Sequence, residues 1–374
     1  MLLWDPCVFA VGEDYQIVFD TAEPGIAWVT CGGQAYRDSE GELMRSDTVH
    51  RVALPMAALE GAGSYEVCFR ALAERRAYFP EPGPLYSRAF AFHPLPEDCP
   101  VRAVMLADTH SMIEEPCRAA AAAGPFDLML LCGDIPAESA HLEDLRAIHA
   151  IGGALTHGAL PVVFARGNHD YRGRFATELP RFVGNAGGAT WFTFRLGALW
   201  GIALDCGEDK SDDDPEYGGM VDCHAMRLRE TEFIKQVVAR AEREYLAEGV
   251  RTRIALCHIP FCTAAMGDDG GKFDIERTLY AEWTALLNGM GLDAMFSGHT
   301  HALETVLPGG ERARYGMNFP VIIGAKPVLP SSRDPQRPRA FTGVRMAFGA
   351  DAIQVDTIGD DGRISPMAQL PRRS

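Results

Sequence analysis

The sequence predicts an α/β domain with a mostly parallel sheet, preceded by a small all-β sandwich. Three observations carry this. Up to about residue 97 apolar residues alternate with period two between turn-forming clusters. Beyond it, short apolar runs alternate with helical stretches. Five segments downstream stop at a short polar group built from Asp, Asn, Gly and His.

In the front region, residues 1–97, Tyr15, Ile17 and Phe19 alternate, as do Tyr65, Val67, Phe69 and Ala71, then Phe90 and Phe92. Such a pattern buries one face of a strand. Glu23-Pro24-Gly25, residues 38–41 and residues 80–84 separate the runs as turns, and the spacing predicts an antiparallel sandwich. His50 and His93 stand alone and are expected at the surface or a sheet edge. The Pro-rich connector 93–100 divides residues 1–97 from residues 98–374.

The second region opens with a strand at 101–107 that ends at Asp108. An Ala-rich helix at 116–123 is stopped by Gly124-Pro125. A strand at 127–132 ends at Gly133-Asp134, and a helix at 139–157 has Ser139 as its cap and Gly158 past its end. In PVVFARGNHD the strand through Val162, Val163 and Phe164 is broken by Gly167, with Asn168, His169 and Asp170 just beyond. Residues 191–196 and 199–205 predict a hairpin turning at Gly197. A long helix follows at 225–248, with Phe233, Val237, Ala241 and Tyr245 on one stripe. A strand at 254–257 ends at His258, a helix spans 275–287, and a strand at 294–297 ends at Gly298-His299. The tail is β-rich, through 321–324, 343–348 and 352–357.

The 374 residues suffice for two domains and a large core. A net charge of −16 argues against broad binding to nucleic acid or anionic membranes, which needs clustered Lys and Arg. It leaves room for a small anionic substrate held by a local positive centre. No 18-residue apolar run occurs, and the opening MLLWDPCVFAVGEDYQ has neither a basic start nor a continuous apolar segment. No secretory signal and a cytoplasmic location are therefore expected. The ten cysteines form no CxxC pair, and Cys68, Cys132 and Cys257 sit in apolar runs, as buried thiols in a reducing compartment do.

Five groups stand together at predicted strand ends: Asp108-Thr109-His110, Gly133-Asp134, Gly167-Asn168-His169-Asp170, His258, and Gly298-His299-Thr300-His301. An Asp after a strand is often a cap and a Gly-Asn pair often a turn, so each group alone has an ordinary explanation. Their coincidence at the carboxyl ends of strands points to one site. Residues i and i+2 of an extended segment project to one side, so Asp108 with His110, and His299 with His301, can each aim two donors into a pocket. With Asp134, Asn168 and His258 the set offers three oxygen donors and four imidazoles, and no thiolate. That shell suits manganese, iron or zinc, and seven donors suit two ions that share a bridging carboxylate. Such a centre attracts a phosphate ester and lowers the pKa of its water.

These five blocks, in this order across residues 101–305, resemble the calcineurin-like metallophosphoesterase superfamily. The resemblance implies a four-layer β-sandwich flanked by helices. It implies that Asp108, His110, Asp134 and His301 bind one ion and that Asp134, Asn168, His258 and His299 bind the other, with Asp134 as the bridge. His169 would stabilise the transition state and protonate the leaving alkoxide, held by Asp170; an imidazole titrates near working pH. The front region and the His258-Ile259-Pro260-Phe261 wording are also similar to the purple acid phosphatases, which implies an immunoglobulin- or fibronectin-like front sandwich. The likeness departs at two points. Those enzymes place a Tyr ligand shortly after the bridging Asp, where this chain has Ile135, Pro136 and Ala137, and they lack a His at the position of His110. The implied site has His in place of Tyr, without an iron–tyrosinate colour or an acidic optimum.

Two acidic loops, 208–216 and 267–274, follow strand ends and are expected to be solvated; as a rim they would repel polyanions, with Lys210 or Arg166 contacting substrate. His141, His149, His157 and His224 are expected at exposed helical positions. The function expected is hydrolysis of a small phosphomonoester. The alternatives are a phosphodiesterase for a cyclic nucleotide or other small diester, which would use the same centre, and a scaffold that has lost chemistry. A scaffold predicts missing donors or a replaced His169, and all are present. The oligomeric state is left open.

Overall fold

The computed structural model describes residues 1–39, 43–72, 75–96, 100–264 and 275–372. Two sheets pack face to face. The larger runs from strand Ile364–Pro371 through Ala352–Gly359, Ala340–Phe348, Val101–Leu106, Leu128–Cys132, Pro161–Ala165, Cys7–Val11, Asp14–Cys31 and Ser64–Ala71 to Tyr86–Ala91. The smaller runs from Phe192–Leu196 through Leu199–Leu204, Thr252–Cys257, Ala294–Ser297 and Val321–Gly324 to Leu303–Val306. Val101–Leu106, Leu128–Cys132 and Pro161–Ala165 pair in parallel, as do Leu199–Leu204, Thr252–Cys257, Ala294–Ser297 and Val321–Gly324. Their continuous apolar composition fits burial on both faces.

The smaller sheet shows how the layers form. Ala203, Ile254, Leu256, Phe296 and Ile322 face the large sheet and join its core. Their neighbours Ile202, Leu204, Ala255, Cys257, Met295 and Ile323 face outward, against Ile234, Val237, Tyr280, Trp283 and Leu287. Those last five lie on the helices Cys223–Ala239 and Arg277–Met290. The helices Glu114–Ala122 and Ala147–Thr156 cover the outer face of the large sheet through Ala119, Ala120, Ile148 and Ile151. The order is helix, sheet, sheet, helix. Among the described residues no helix is long and apolar enough to cross a membrane.

The described front strands are continuous with the large sheet. Cys7–Val11, absent from the expected strands, pairs antiparallel with Asp14–Cys31 and parallel with Pro161–Ala165, Val8 opposite Pro161 and Phe9 opposite Val162. All five of its residues are buried, because it lies inside the large sheet. The 18-residue strand Asp14–Cys31 then bends at an irregularity between Asp20 and Gly25 and pairs with Asp47–Pro55 in its first half and Ser64–Ala71 in its second. Apolar side chains of the front region and of the later region share one core. The expected boundary, at residues 97 and 98, lies outside the described residues.

Several local expectations need correction. His50 is buried, its Nδ1 2.7 Å from Asp38 Oδ2. His149 is buried too, bonded to Asp20 and to the Phe182 carbonyl at 2.6 Å, because its helix packs on the front strands. His141, His157 and His224 are exposed as expected. The helix expected at 139–157 begins at Ala147, after a 3-10 turn at Leu142–Arg146. Ser139 is no cap: its buried hydroxyl donates to the Arg172 carbonyl at 2.7 Å. Two left-handed residues close that helix, His157 and then the expected Gly158. The long helix stops at Ala239, and Tyr245 packs on Trp200 from beyond its end, with ring centroids 5.5 Å apart.

Candidate metal centre

The five polar groups meet at the carboxyl ends of the strands along one edge of the two facing sheets. Asp108 follows Val101–Leu106, Asp134 follows Leu128–Cys132, and Asn168 and His169 follow Pro161–Ala165. Opposite them, His258 follows Thr252–Cys257, and His299 and His301 follow Ala294–Ser297. Donor atoms within 4.8 Å of one another form three overlapping groups: Asp108, His110 and His301; His110, Asp134 and His169; Asp134, His258 and His299. Asn168 adjoins the third, its Oδ1 2.9 Å from His299 Nδ1.

The backbone is bent to achieve this. Asp108, His110, Asp134, His299 and His301 all take positive φ, between 45° and 70°. Non-glycine residues avoid that region, and such strain gathers where a site is built. Two glycines make the space. A Cβ on Gly167 would lie 2.2 Å from Asp134 Oδ1, and one on Gly133, itself at φ 77°, would lie 2.6 Å from the Gly167 backbone.

The carboxylates are buried, and charge decides their state. Burial pushes the Asp134 carboxyl up, but His258, His169 and His110 outweigh it and hold it well below the usual carboxylate range. Burial alone would lower His258; Asp134 and Asp108 reverse this and raise it to about 10. Burial takes His110 and His299 down to about 4. A hydrogen bond that His301 donates to Asp108 raises His301.

Two observations test whether these residues fit a metal. His258 Nδ1 is fixed against the Cys132 carbonyl at 2.6 Å, which directs the buried Nε2 inward to 3.2 Å from Asp134 Oδ2. An outer hydrogen bond that orients the ligating nitrogen is the usual support of a metal-binding imidazole. The His110 and His301 Nε2 atoms lie 2.9 Å apart, with Asp108 Oδ1 3.4 Å from the second. Imidazoles converging with buried carboxylates fit divalent metal ions, whose positive charge replaces the competing protons.

His169 stands at the rim. Its N–H donates to Asp134 Oδ1 at 2.8 Å, and its Nδ1 lies 2.7 Å from the Ala137 carbonyl, which leaves Nε2 facing the site. Asp170 does not hold it, contrary to expectation. The buried Asp170 carboxylate turns the other way, accepting from the backbone N–H of Gly167 at 2.8 Å and of Asp134 at 3.2 Å, and so ties two of the metal loops together. Burial and Asp134 push its carboxyl up to about 7.

The partner of His169 is Arg172, which the sequence reading missed, with Nη1 3.0 Å from His169 Nε2. Glu208 grips Arg172 in a two-pronged ion pair, 2.9 Å at each contact. Tyr217 donates to Glu208 at 3.1 Å and to Asp209 at 3.0 Å. Glu208 is 1% exposed, so the start of the acidic loop is packed rather than solvated. The signal lay in that loop: a Glu directly after an apolar strand and a Gly. Lys210 pairs with Glu216 at 2.7 Å. Arg166 donates to the Asp170 and Ala176 carbonyls and stacks 3.5 Å from the centre of the Tyr171 ring. The loop 267–274 lies outside the described residues. The nine described cysteines are free thiols, eight of them buried.

Comparison with known proteins agrees with this arrangement. Residues 101–303 match the family model described as calcineurin-like phosphoesterase. Serine/threonine-protein phosphatase CPPED1 of Mus musculus is 24% identical over 176 residues, covering 46% of this chain and 52% of that protein. The chain thus spans about half the length of this curated relative. Among solved structures, purple acid phosphatase PPD1 from yellow lupin (Lupinus luteus) seeds superposes with a TM-score of 0.64 at 11% identity, over 99% of this chain and 74% of that one. The structure of PhoD gives 0.51 at 11% identity, over 94% and 85%. These two likenesses show the shared fold.

Proposed function

Because the chain belongs to the calcineurin-like phosphoesterase family, we propose that it is a metal-dependent hydrolase of small phosphomonoesters. The observation that carries the reading is the convergence of Asp108, Asp134 and four imidazoles from separate strand ends, with donor atoms in overlapping groups no wider than 4.8 Å. Asp108, His110, Asp134 and His301 would hold one ion, and Asp134, Asn168, His258 and His299 a second, drawn from manganese, iron or zinc. Bound there, the ions supply Lewis acidity and a water of lowered pKa.

The protein's own groups do the rest. Asp170 keeps the Gly167 and Asp134 backbones in register, so the donors are arranged before substrate arrives. His169 keeps Nδ1 on the Ala137 carbonyl and Nε2 against the Arg172 guanidinium; once protonated at Nε2 and turned from Arg172 to the leaving oxygen, it delivers the proton there. Arg172, immobilised by Glu208, holds that imidazole at Nε2 until the leaving oxygen takes its place. Residues 98–374 carry the chemistry, and residues 1–97 act as support by bracing the strand that ends in Asn168 and His169.

The test compares a generic aryl monoester with the matching diester on manganese-loaded protein. Turnover of the monoester alone, or much faster, supports the reading. Preference for the diester replaces it with a phosphodiesterase, and turnover of neither by metal-loaded protein overturns both.

A further inference from the structure

Next to Arg172, the side chain that contacts His169, the surface opens into a trough lined by none of the metal-donor residues. It has two lobes, of about 640 and 570 Å³, which share Tyr171, Ala176, Thr177, Met220 and Val221. Arg172 and Glu208 are among the side chains that line the first lobe, and Arg172 Nη1 lies 3.0 Å from His169 Nε2. A leaving group protonated by His169 therefore has this lobe one side chain away.

Each lobe falls in the range that encloses an organic ligand of many atoms, far more than glycerol or a serine side chain fills. Tyr217, Met220 and Val221 give the first lobe apolar walls, and Trp191 and Met226 do the same for the second. Flat aromatic groups pack well against such side chains.

The charge is equally specific. The chain carries a net −16, yet Arg166, Arg172, Arg174 and Arg229 surround this one trough. Arg166 and Arg172 are engaged as described above. Arg174 and Arg229 are exposed, and among the described residues no carboxylate lies within ion-pair distance of either. Arg229 instead lies 5.8 Å from the centre of the Trp191 ring. On the acidic side Glu208 and Glu216 are already paired, which leaves Asp222.

We propose that the trough binds the alcohol half of the ester, and that the protein selects a flat, apolar alcohol bearing a second anionic group. This rests on the phosphoesterase reading above, with His169 on the leaving-group side. The aromatic part lies along Tyr217, Met220 and Val221, and the anion reaches Arg174 or Arg229. Arginine at an exposed rim with no acid beside it is suited to pair a carboxylate or phosphate.

The experiment uses the metal-loaded full chain and four esters: glycerol phosphate, phenyl phosphate, 2-naphthyl phosphate and 6-carboxy-2-naphthyl phosphate. Burying the second ring should lower KM about tenfold from phenyl to naphthyl, and the carboxylate should lower it further. Thr177→Trp, at an exposed position shared by both lobes, should bring the naphthyl-to-phenyl KM ratio towards one. Arg174→Glu with Arg229→Glu should cancel only the carboxylate's advantage. Binding of 2-naphthylmethylphosphonate by calorimetry reads the trough without turnover, and melting temperature and metal content check that each variant is folded. Equal KM for phenyl and naphthyl esters, unmoved by either variant, overturns the proposal and leaves the hydrolase reading standing. Loss of phosphonate binding in Thr177→Trp with no ester hydrolysed keeps the trough as a ligand site and overturns the hydrolase reading. No phosphonate binding and no hydrolysis overturns both.

Discussion

Replacing Gly167 with Ala should disable the centre without unfolding the protein. The Gly167 backbone passes so close to Asp134 that an added Cβ would lie 2.2 Å from Oδ1 and 2.5 Å from the amide N, where ordinary contact begins at 3.4 Å. The carboxylate, the loop or both must retreat by about 1 Å, and a misplacement of that size in a catalytic group costs on the order of 10²-fold in rate. The effect is steric, since Gly167 is not among the glycines with positive φ. Asp134 belongs to two of the three donor groups and also receives the His169 N–H, so one displacement reaches the metal and the proton donor together. The assay pairs kcat/KM on an aryl monoester with metal content per chain, using circular dichroism to confirm folding. A Gly167→Ala protein with full metal content and kcat/KM within about threefold of wild type would refute this reasoning.

Three further outcomes are expected. Arg172→Ala strands the Glu208 carboxylate in a buried site with only Tyr217 as a described donor, and should cost about 3 kcal/mol by urea unfolding; adding Glu208→Gln should recover part of it, and simple additivity of the two would contradict the pairing. His169→Ala should lower turnover of alkyl esters by roughly 10²–10⁴-fold and of esters with good leaving groups much less, because only a poor leaving group needs the proton; equal losses across leaving groups would remove His169 as the donor. Burial, then Asp205, pushes the Glu230 carboxyl well above its ordinary range. Its proton is therefore held more tightly in the fold than in the unfolded chain. That stabilisation is complete below the unfolded value and is lost as pH rises through the folded one. Glu230→Gln should flatten the fall in melting temperature as pH rises above the usual carboxylate range, and parallel curves for the two proteins would count against it.

The metal loops were legible because they break strong local patterns. A β-branched strand that stops at Gly167-Asn168-His169 leaves polar groups where backbone pairing ends, and five such stops have few joint explanations. Position along the chain carries no distance, so the same reading could not show that Asp170 faces the backbones of Gly167 and Asp134 rather than His169. It also read the acidic loop as solvated, since the burial of Glu208 depends on Arg172, 36 positions earlier in the chain. His149 was misplaced for a related reason. Its helix packs against front strands whose place in the large sheet is set by the short run Cys7–Val11, and five apolar residues give no hint of a partner some 150 residues away.

That distant pairing has a consequence for how the molecule is made. During synthesis Cys7–Val11 emerges before Pro161–Ala165, with one edge satisfied by the neighbouring hairpin strand and the other bare until that strand arrives. A bare edge is a template for any passing strand, and closing so long a loop is slow. Assembly of the turn that carries Asn168 and His169 is thereby delayed until these two distant strands have met. A ribosome-bound chain halted before residue 161 should be protease-sensitive around Cys7–Val11 and need a chaperone to stay unaggregated.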